Sequence, residues 1–264
     1  MLEPNILPFP RQHRKGIKAP LIWRELPKNV RFTPKNISDL NSWIGIIFAM
    51  GAGLFAAGCL GALCPAYMPQ FLATEANVNL TFFAGSIPFT IAALLQLIQA
   101  ELAGDYLDGG EAKHNDAYNW RFRDRGWRAC AYQFVGTLAF NLNTFDAMTL
   151  GGNWLIDDIE IWVPNMLGSI LFLASGVLAA REVQQATALW QPTSIEWCIA
   201  SINLLGCIMF MVAAVLALET PVPLLAEASE LSIMFTLLGA IGFFLGAALL
   251  LLEGVSNSHS EEIQ

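Results

Sequence analysis

Residues 195–218 read IEWCIASINLLGCIMFMVAAVLAL, and this stretch decides the fold class. Its only charged side chain is Glu196, at the beginning of the stretch. About 20 consecutive apolar residues are enough to cross the hydrocarbon core of a bilayer. Because the backbone inside that core must satisfy its own hydrogen bonds, such a stretch is helical. Residues 195–218 therefore predict a membrane-spanning helix.

Five further runs have the same character as residues 195–218. The six predicted spans cover residues 43–66, 80–101, 128–149, 163–183, 195–218 and 230–252. The composition agrees with them, since 55% of the chain is hydrophobic and 14% is charged, whereas a soluble domain carries about 25% charged residues. The polar faces that helices of a soluble bundle need are missing from these runs. The sequence therefore predicts an all-α, polytopic membrane protein.

The basic residues predict the orientation of the chain in the membrane. All 14 lysines and arginines lie before the first span, between the second and third spans or at the start of the third, or at Arg181 near the end of the fourth. The loops at residues 67–79, 150–162 and 219–229 contain none and carry acidic residues instead. Lysine and arginine beside spans stay on the cytoplasmic side. We therefore expect both termini in the cytoplasm.

The spans divide the chain into three hairpins with connecting segments. The predicted segments are a basic, proline-rich N-terminal segment at 1–42, hairpins at 43–101, 128–183 and 195–252, a cytoplasmic loop at 102–127 and a C-terminal tail at 253–264. Each hairpin starts and ends on the same side, so the hairpins are parallel repeats related by an axis near the membrane normal. A pseudo-threefold bundle is the simplest arrangement, and a linear stack stays open.

Each predicted span carries a glycine that is followed four residues later by a phenylalanine. These pairs are Gly51 and Phe55, Gly85 and Phe89, Gly136 and Phe140, Gly168 and Phe172, Gly206 and Phe210, and Gly239 and Phe243. Residues four apart share one face of a helix, and small residues let membrane helices approach closely. We interpret the pairs as helix-packing positions, and their common register favours an internal repeat of two helices.

Three of these stretches resemble a known pattern. Residues 197–206 (WCIASINLLG), 133–141 (QFVGTLAFN) and 167–172 (LGSILF) are similar to bacterial proteins that carry the YrhK domain. The resemblance covers mainly residues 125–252. It implies a module of two membrane helices in the cytoplasmic (inner) membrane of a bacterium. It assigns no catalytic residue and no substrate.

Polar side chains inside the predicted spans form the candidate site. They are Gln133, Asn141, Asn143 and Asp146 in the third span and Asn203 in the fifth. A carboxylate inside a membrane is costly unless it is paired, so Asp146 favours a functional site. Two interpretations stay open. The amides either hydrogen-bond neighbouring helices, with Asp146 in the outer headgroup layer, or they line a path for an ion or a small solute.

The loop before the third span alternates aromatic and basic side chains. They are Trp120, Arg121, Arg123, Arg125 and Trp127. This pattern predicts an anchor among anionic headgroups on the cytoplasmic side, and docking of a cytoplasmic partner is the alternative. We therefore expect membrane lipids as partners, together with a membrane-protein partner or a second copy of this chain, and we do not expect nucleic acid.

Enzymatic function is not expected from this sequence. The three histidines, His13, His114 and His259, lie outside the spans, which argues against an intramembrane haem or zinc site. A nucleotide-binding fingerprint is missing as well. We therefore expect no catalytic residue, cofactor or metal. The predicted role is that of a structural or accessory protein that acts by association. The alternative is a small channel or transporter lined by the polar residues of the third and fifth spans.

Overall fold

The structure, a computed structural model, describes residues 40–107, 124–149, 158–186, 191–218 and 227–262. These residues form the helices α1 Leu40–Leu63, α2 Glu75–Leu107, α3 Arg125–Asp146, α4 Val163–Ala186, α5 Ile195–Leu216 and α6 Ala228–Glu262. Short 3-10 helices at Pro65–Tyr67 and Gln70–Leu72 connect α1 to α2, and a π-helical turn at Asp158–Trp162 leads into α4. The prediction of an all-α fold is confirmed.

Five of these helices are long and apolar enough to cross a membrane. The candidate spans are Leu40–Leu63, Glu75–Leu102, Ile159–Gln184, Ile195–Leu216 and Ala228–Gly254. They correspond to the first, second, fourth, fifth and sixth predicted spans. Helix α3 is not among them, and per residue it is the least hydrophobic of the six helices. By length and composition of its helices, the chain is an integral, multi-pass membrane protein.

Side-chain caps decide where two of the helices begin. The Asp124 carboxylate accepts hydrogen bonds from the backbone N–H groups of Gly126 (3.2 Å) and Trp127 (2.9 Å). Likewise, the Ser194 hydroxyl accepts one from the N–H of Trp197 (3.4 Å). Such caps satisfy backbone donors that have no partner in the first turn. Helix α3 therefore starts before the predicted boundary at residue 128.

Helices α2 and α6 continue beyond the predicted spans. Helix α2 reaches Leu107, whereas the predicted span ends at residue 101, and α6 reaches Glu262, whereas its predicted span ends at residue 252. Parts of the predicted cytoplasmic loop and of the predicted tail are therefore helical. The apolar pattern predicts where a helix leaves the membrane, which is a different position from its last hydrogen-bonded turn.

The helices form a closed antiparallel ring. Each helix packs on its neighbours in the sequence, and α6 packs on α1. The Gln99 amide on α2 donates to Asn41 Oδ1 on α1 (2.9 Å), and at the opposite end the Asn79 amide donates to the Ala147 carbonyl after α3 (2.8 Å). We call the end that holds the starts of α1, α3 and α5 the proximal end, and the opposite end the distal end. The ring encloses a central axis.

Glycines hold the helices of each hairpin close together. The glycines meet in three pairs: Gly51 with Gly85, Gly136 with Gly168, and Gly206 with Gly239. A Cβ atom placed on either glycine of a pair would lie 3.0 to 3.2 Å from the carbonyl oxygen of the other. It would also lie 2.7 to 3.3 Å from the phenylalanine ring of the partner helix. A larger side chain at these positions would push the helices apart.

Candidate functional site

Six phenylalanine rings meet on the axis of the bundle, one from each helix. We call Phe55, Phe89, Phe140, Phe172, Phe210 and Phe243 the phenylalanine cluster, and all six are buried. Ring centroids of contacting members lie 5.0 to 6.5 Å apart. The glycine on the partner helix leaves room for each ring. The same residue pairs that pack the hairpins therefore also fill the centre of the ring.

Phe210 contacts four of the other five rings of this cluster. Its ring lies 6.2 Å from Phe55, 5.9 Å from Phe140 and 6.5 Å from Phe172, and it stacks on Phe243 at 5.5 Å. Most of the other contacts are edge-to-face, an arrangement that aromatic pairs prefer. The cluster is therefore a continuous apolar barrier across the axis.

Three cavities follow one another along this axis. The proximal cavity has a volume of about 90 Å³, the middle cavity about 20 Å³ and the distal cavity about 160 Å³. Phe172 lines both the proximal and the middle cavity. Phe55, Phe140 and Phe210 line both the middle and the distal cavity. Rings of the phenylalanine cluster thus separate each cavity from the next.

The proximal cavity is polar although it lies inside an apolar bundle. Its polar lining consists of Gln96 and Gln99 from α2, Gln133 from α3, Ser175 and Glu182 from α4, and Asn203 from α5. Glu182 is the only charged residue among the described residues that line this cavity. The rings of Phe172 and Phe243 complete the wall on the side of the phenylalanine cluster.

The distal cavity is larger and its described lining is uncharged. Its polar lining consists of Asn79, Asn143, Thr144, Asn165 and Thr236. Two of the amides already have partners in the backbone. Asn79 donates to the Ala147 carbonyl (2.8 Å) and Asn143 donates to the Ile161 carbonyl (2.9 Å). These two amides therefore connect parts of the fold beside the distal cavity.

The structure distributes the predicted polar residues over several places. Gln133 and Asn203 line the proximal cavity, and Asn143 lines the distal cavity. The Asn141 amide donates to the Thr90 hydroxyl of α2 (2.9 Å). Asp146 is the last residue of α3, is half-buried and lines none of the three cavities. A single site built from all five predicted residues is therefore not formed.

Several residues of the cavities were not among the predicted site residues. Gln96, Gln99 and Glu182 lie near the ends of predicted spans, where polar side chains usually face headgroups. Glu182 is nevertheless only 8% exposed. Its position on the inner side of the ring depends on how α4 packs between α3 and α5. The hydropathy pattern alone contains no signal for that packing.

The predicted membrane anchor is described only in part. Trp120, Arg121 and Arg123 lie outside the described residues. Arg125 is the first residue of α3 and is partly exposed. The indole N–H of Trp127 donates to Glu101 Oε2 at 2.6 Å. Trp127 therefore ties α3 to α2, in addition to its predicted place at the headgroup level.

The described residues contain no group of three or more His, Cys, Asp or Glu side chains that could hold a metal ion.

A scan against protein-family models, a search of curated proteins and a search of solved structures each found no match. The resemblance to YrhK-domain proteins stays a prediction. The function therefore has to be inferred from the helices, cavities and side chains of this chain.

Proposed function

We propose that this protein is a non-enzymatic membrane protein that forms a gated path for an ion or a small polar solute. This proposal rests on the three cavities that follow one another along the axis of a closed helix ring. Amides and hydroxyls line the two outer cavities, and apolar rings close the passage between them. Hydrophobic constrictions of this kind gate pores by excluding water. The phenylalanine cluster is the gate.

We also propose that α3 crosses the membrane, which makes six spans. Helix α3 packs between α2 and α4, both of which are long and apolar enough to span. Contacts to α2 exist at both ends, from Trp127 to Glu101 at the proximal end and from Asn79 to Ala147 at the distal end. Since α3 runs alongside α2 between these two points, it covers the same thickness. Its amide residues Gln133, Asn141 and Asn143 face the axis or neighbouring elements.

The proximal end is the cytoplasmic end in this proposal. The described basic residues Arg125, Arg128 and Arg181 all belong to helix ends on that side, which agrees with the preference of basic residues for the cytoplasm. Anionic headgroups would then hold the basic segments of the chain. The cytoplasmic membrane of a bacterium is the proposed location.

The glycine contacts support an internal repeat. In all three hairpins a glycine of one helix meets the backbone of a glycine on the next, at nearly the same distances. Three parallel hairpins around one axis would be the result of such a repeat. A module of two helices is also what the resemblance to YrhK-domain proteins implies. Repeats around an axis along the membrane normal are common among transporters.

A role by association alone, which the sequence favoured, stays a prediction. The two roles differ in what they require of the bundle interior. A scaffold needs a packed core, whereas a path needs polar cavities that line up across the membrane. Polar cavities on either side of the phenylalanine cluster in the described interior support the path, and for this reason we propose the path first.

Flux measurements on proteoliposomes that contain the full chain test the proposal. The panel comprises Na⁺, K⁺, methylammonium, urea and glycerol. Phe210→Ala removes the ring that contacts four other members of the cluster. We expect it to raise the flux of at least one permeant about tenfold, because a hydrophobic constriction controls passage. If the wild-type chain and Phe210→Ala both give the flux of protein-free liposomes for all five solutes, the path is rejected and association is left as the role.

The neighbouring phenylalanine on α6 supplies a matched control. Phe244 follows Phe243 directly, but its side chain is 45% exposed and lies outside the cavities. Phe244→Ala should leave flux unchanged. Phe210→Leu is the second variant, because Phe→Ala in a core costs about 3–5 kcal/mol and can unfold a protein. Asp146→Asn should also leave flux unchanged, since Asp146 lines none of the cavities.

A further inference from the structure

All six helices line the distal cavity, and polar side chains from four of them converge on it. Asn79 lies on α2, Asn143 on α3, Asn165 on α4 and Thr236 on α6. Helices α1 and α5 contribute rings of the phenylalanine cluster to the wall. A cavity with an apolar wall and a few convergent polar groups is the usual form of a small-molecule site.

The polar groups of this cavity are open to a ligand. The Asn165 side chain is partly exposed and forms no hydrogen bond in the described part of the chain. Asn79 and Asn143 are also partly exposed, and each uses one N–H group of its amide in a bond to the backbone. Their Oδ1 atoms accept no hydrogen bond from a described residue. The Thr236 hydroxyl donates its only proton to the Ser232 carbonyl (2.9 Å) and can still accept a bond.

The packing that the hairpins share does not require amides at these positions. Asn165 lies three residues before Gly168, and the same position before the glycines of α2 and α6 is held by Phe82 and Thr236. Asn143 lies seven residues after the glycine of α3, where α1 has a glycine and α5 has an alanine. The two amides are therefore features of this cavity and not of the common hairpin structure.

The described lining favours a neutral ligand of amide type. It contains no charged residue, and an unpaired charge is unfavourable away from water. A carboxamide such as that of Asn165 presents a carbonyl acceptor and N–H donors side by side. A second carboxamide or a urea carries the same two groups, so it can exchange two hydrogen bonds with Asn165. The phenylalanine rings around the amides match the apolar part of such a ligand.

The size of the cavity limits the ligand to a short amide. Its volume is about 160 Å³. An apolar cavity of about 150 Å³, engineered in another protein, takes up benzene, which has about six non-hydrogen atoms. Urea, acetamide and propionamide are within this size. Their hydrogen-bonding groups suit an amide-lined cavity, whereas benzene has none.

We propose that the distal cavity is a binding site for small neutral amides, with Asn165 paired to the amide group of the ligand and Asn79 and Asn143 as further hydrogen-bonding groups. This inference rests on the proposed path, for which it names the substrate class. Binding is measured without flux, so the two proposals fail separately. Saturable binding without flux would overturn the path alone, and flux of another solute without amide binding would overturn this inference alone.

Saturation-transfer NMR on the methyl protons of acetamide tests the binding, with the full chain in nanodiscs of deuterated phosphatidylcholine. We expect saturable transfer above that of nanodiscs without protein, and urea should suppress it. Acetate has the shape of acetamide but carries a charge, and acetone has its size but no N–H donor, so neither should compete. The absence of saturable transfer overturns the proposal. Competition by acetate or acetone as effective as that by urea also overturns it.

A leucine at Asn165 assigns the site to the distal cavity. Asn165→Leu preserves the approximate shape of the side chain and removes its donor and its acceptor. It should lower the affinity for acetamide at least about tenfold, the size expected for two neutral hydrogen bonds. Asn77→Leu is the matched control, because Asn77 is partly exposed near the same end of α2 and lines none of the three cavities. An equal loss in both variants, or none in Asn165→Leu, contradicts the assignment.

A second variant fills the cavity and keeps the test decisive if Asn165→Leu does not fold. Thr236→Phe introduces the residue that α2 has at the corresponding position, Phe82. The added ring would occupy space that the ligand needs, so the binding of acetamide should be lost. Circular dichroism and thermal unfolding check that the variant is folded. Unchanged affinity in a folded Thr236→Phe protein would place the ligand outside the distal cavity and overturn the proposal.

Discussion

The two outer cavities differ in chemistry more than in size. The distal cavity is the larger, at about 160 Å³ against about 90 Å³. Its amides Asn79 and Asn143 are already bonded to backbone carbonyls. The smaller proximal cavity is lined by the Glu182 carboxylate and by Asn203. The Asn203 Oδ1 atom has no hydrogen-bond partner in the described part of the chain. The two cavities therefore differ in the charge of their described lining and in the bonding of these amides.

Buried acidic residues show the same asymmetry. Glu182, Glu196 and Glu253 are all buried near the proximal ends of α4, α5 and α6. At the distal end, Glu75, Glu160 and Glu230 are exposed. A buried carboxylate requires interactions that offset its desolvation, whereas an exposed one is solvated. Negative charge at the proximal end is thus part of the interior, and at the distal end it belongs to the surface.

The largest expected effect comes from disrupting the glycine contact of α1 with α2, beside the phenylalanine cluster that separates the two outer cavities. In Gly51→Leu the added side chain would meet the Phe89 ring at 2.9 Å and the Gly85 carbonyl at 3.0 Å. The helices α1 and α2 would have to separate. We expect the free energy of unfolding to fall by about 3 kcal/mol or more, at the upper end of overpacking effects. Denaturant titration of the purified protein in mixed micelles measures it.

Gly53→Leu is the control for this substitution. Gly53 lies on the same helix, and a Cβ atom there would have nothing within 4 Å. Leucine has a higher helix propensity than glycine by somewhat less than about 1 kcal/mol, so this variant should be as stable as the wild type or slightly more stable. Equal destabilisation by both substitutions would show that the glycine contact does not hold the hairpin.

One tryptophan near each end of the bundle donates a single hydrogen bond, and the strengths of these two bonds can be compared. The Trp127 indole donates to the Glu101 carboxylate at 2.6 Å near the proximal end, and the Trp162 indole donates to the Ala214 carbonyl at 2.7 Å near the distal end. Hydrogen bonds to charged groups contribute more than neutral ones. We expect Trp127→Phe to lower the free energy of unfolding by about 2 kcal/mol and Trp162→Phe by about 1 kcal/mol. The reverse order would contradict a stronger polar contact at the proximal end.

The sequence predicted the helices well because hydropathy measures the property that a bilayer selects. Five predicted spans correspond to helices that are apolar enough to cross a membrane. The exception is α3. Gln133, Asn141 and Asn143 lower its hydropathy, although it packs between α2 and α4 in the ring. The contact of α6 with α1 closes the ring and agrees with a bundle around one axis. The sequence left this bundle and a linear stack open, because no local pattern encodes which distant helices meet.

The candidate site was predicted only in part, for a related reason. The pattern identified Gln133 and Asn203, which line the proximal cavity. It gave most weight to Asp146, which the structure places at the end of α3 and outside the cavities. It gave no weight to Glu182 at a span end. Position along a helix is readable from a sequence, whereas the direction of a side chain relative to the axis depends on packing.

The smallest expected effects are changes in the free energy of unfolding when an amide of either cavity is replaced. These changes should have opposite signs in the two cavities. Asn143→Leu removes a 2.9 Å bond to the Ile161 carbonyl and should lower the free energy of unfolding by about 1 kcal/mol. Asn203→Leu replaces a buried oxygen that has no hydrogen-bond partner in the described chain and should raise it by about 1 kcal/mol, because an unsatisfied polar group is removed. The pair separates an amide that stabilises the fold through a hydrogen bond from an amide whose buried oxygen has no partner in the described chain. A loss of stability in both variants would mean that Asn203 is a structural residue, and the proximal cavity would then lose its distinction from the distal one.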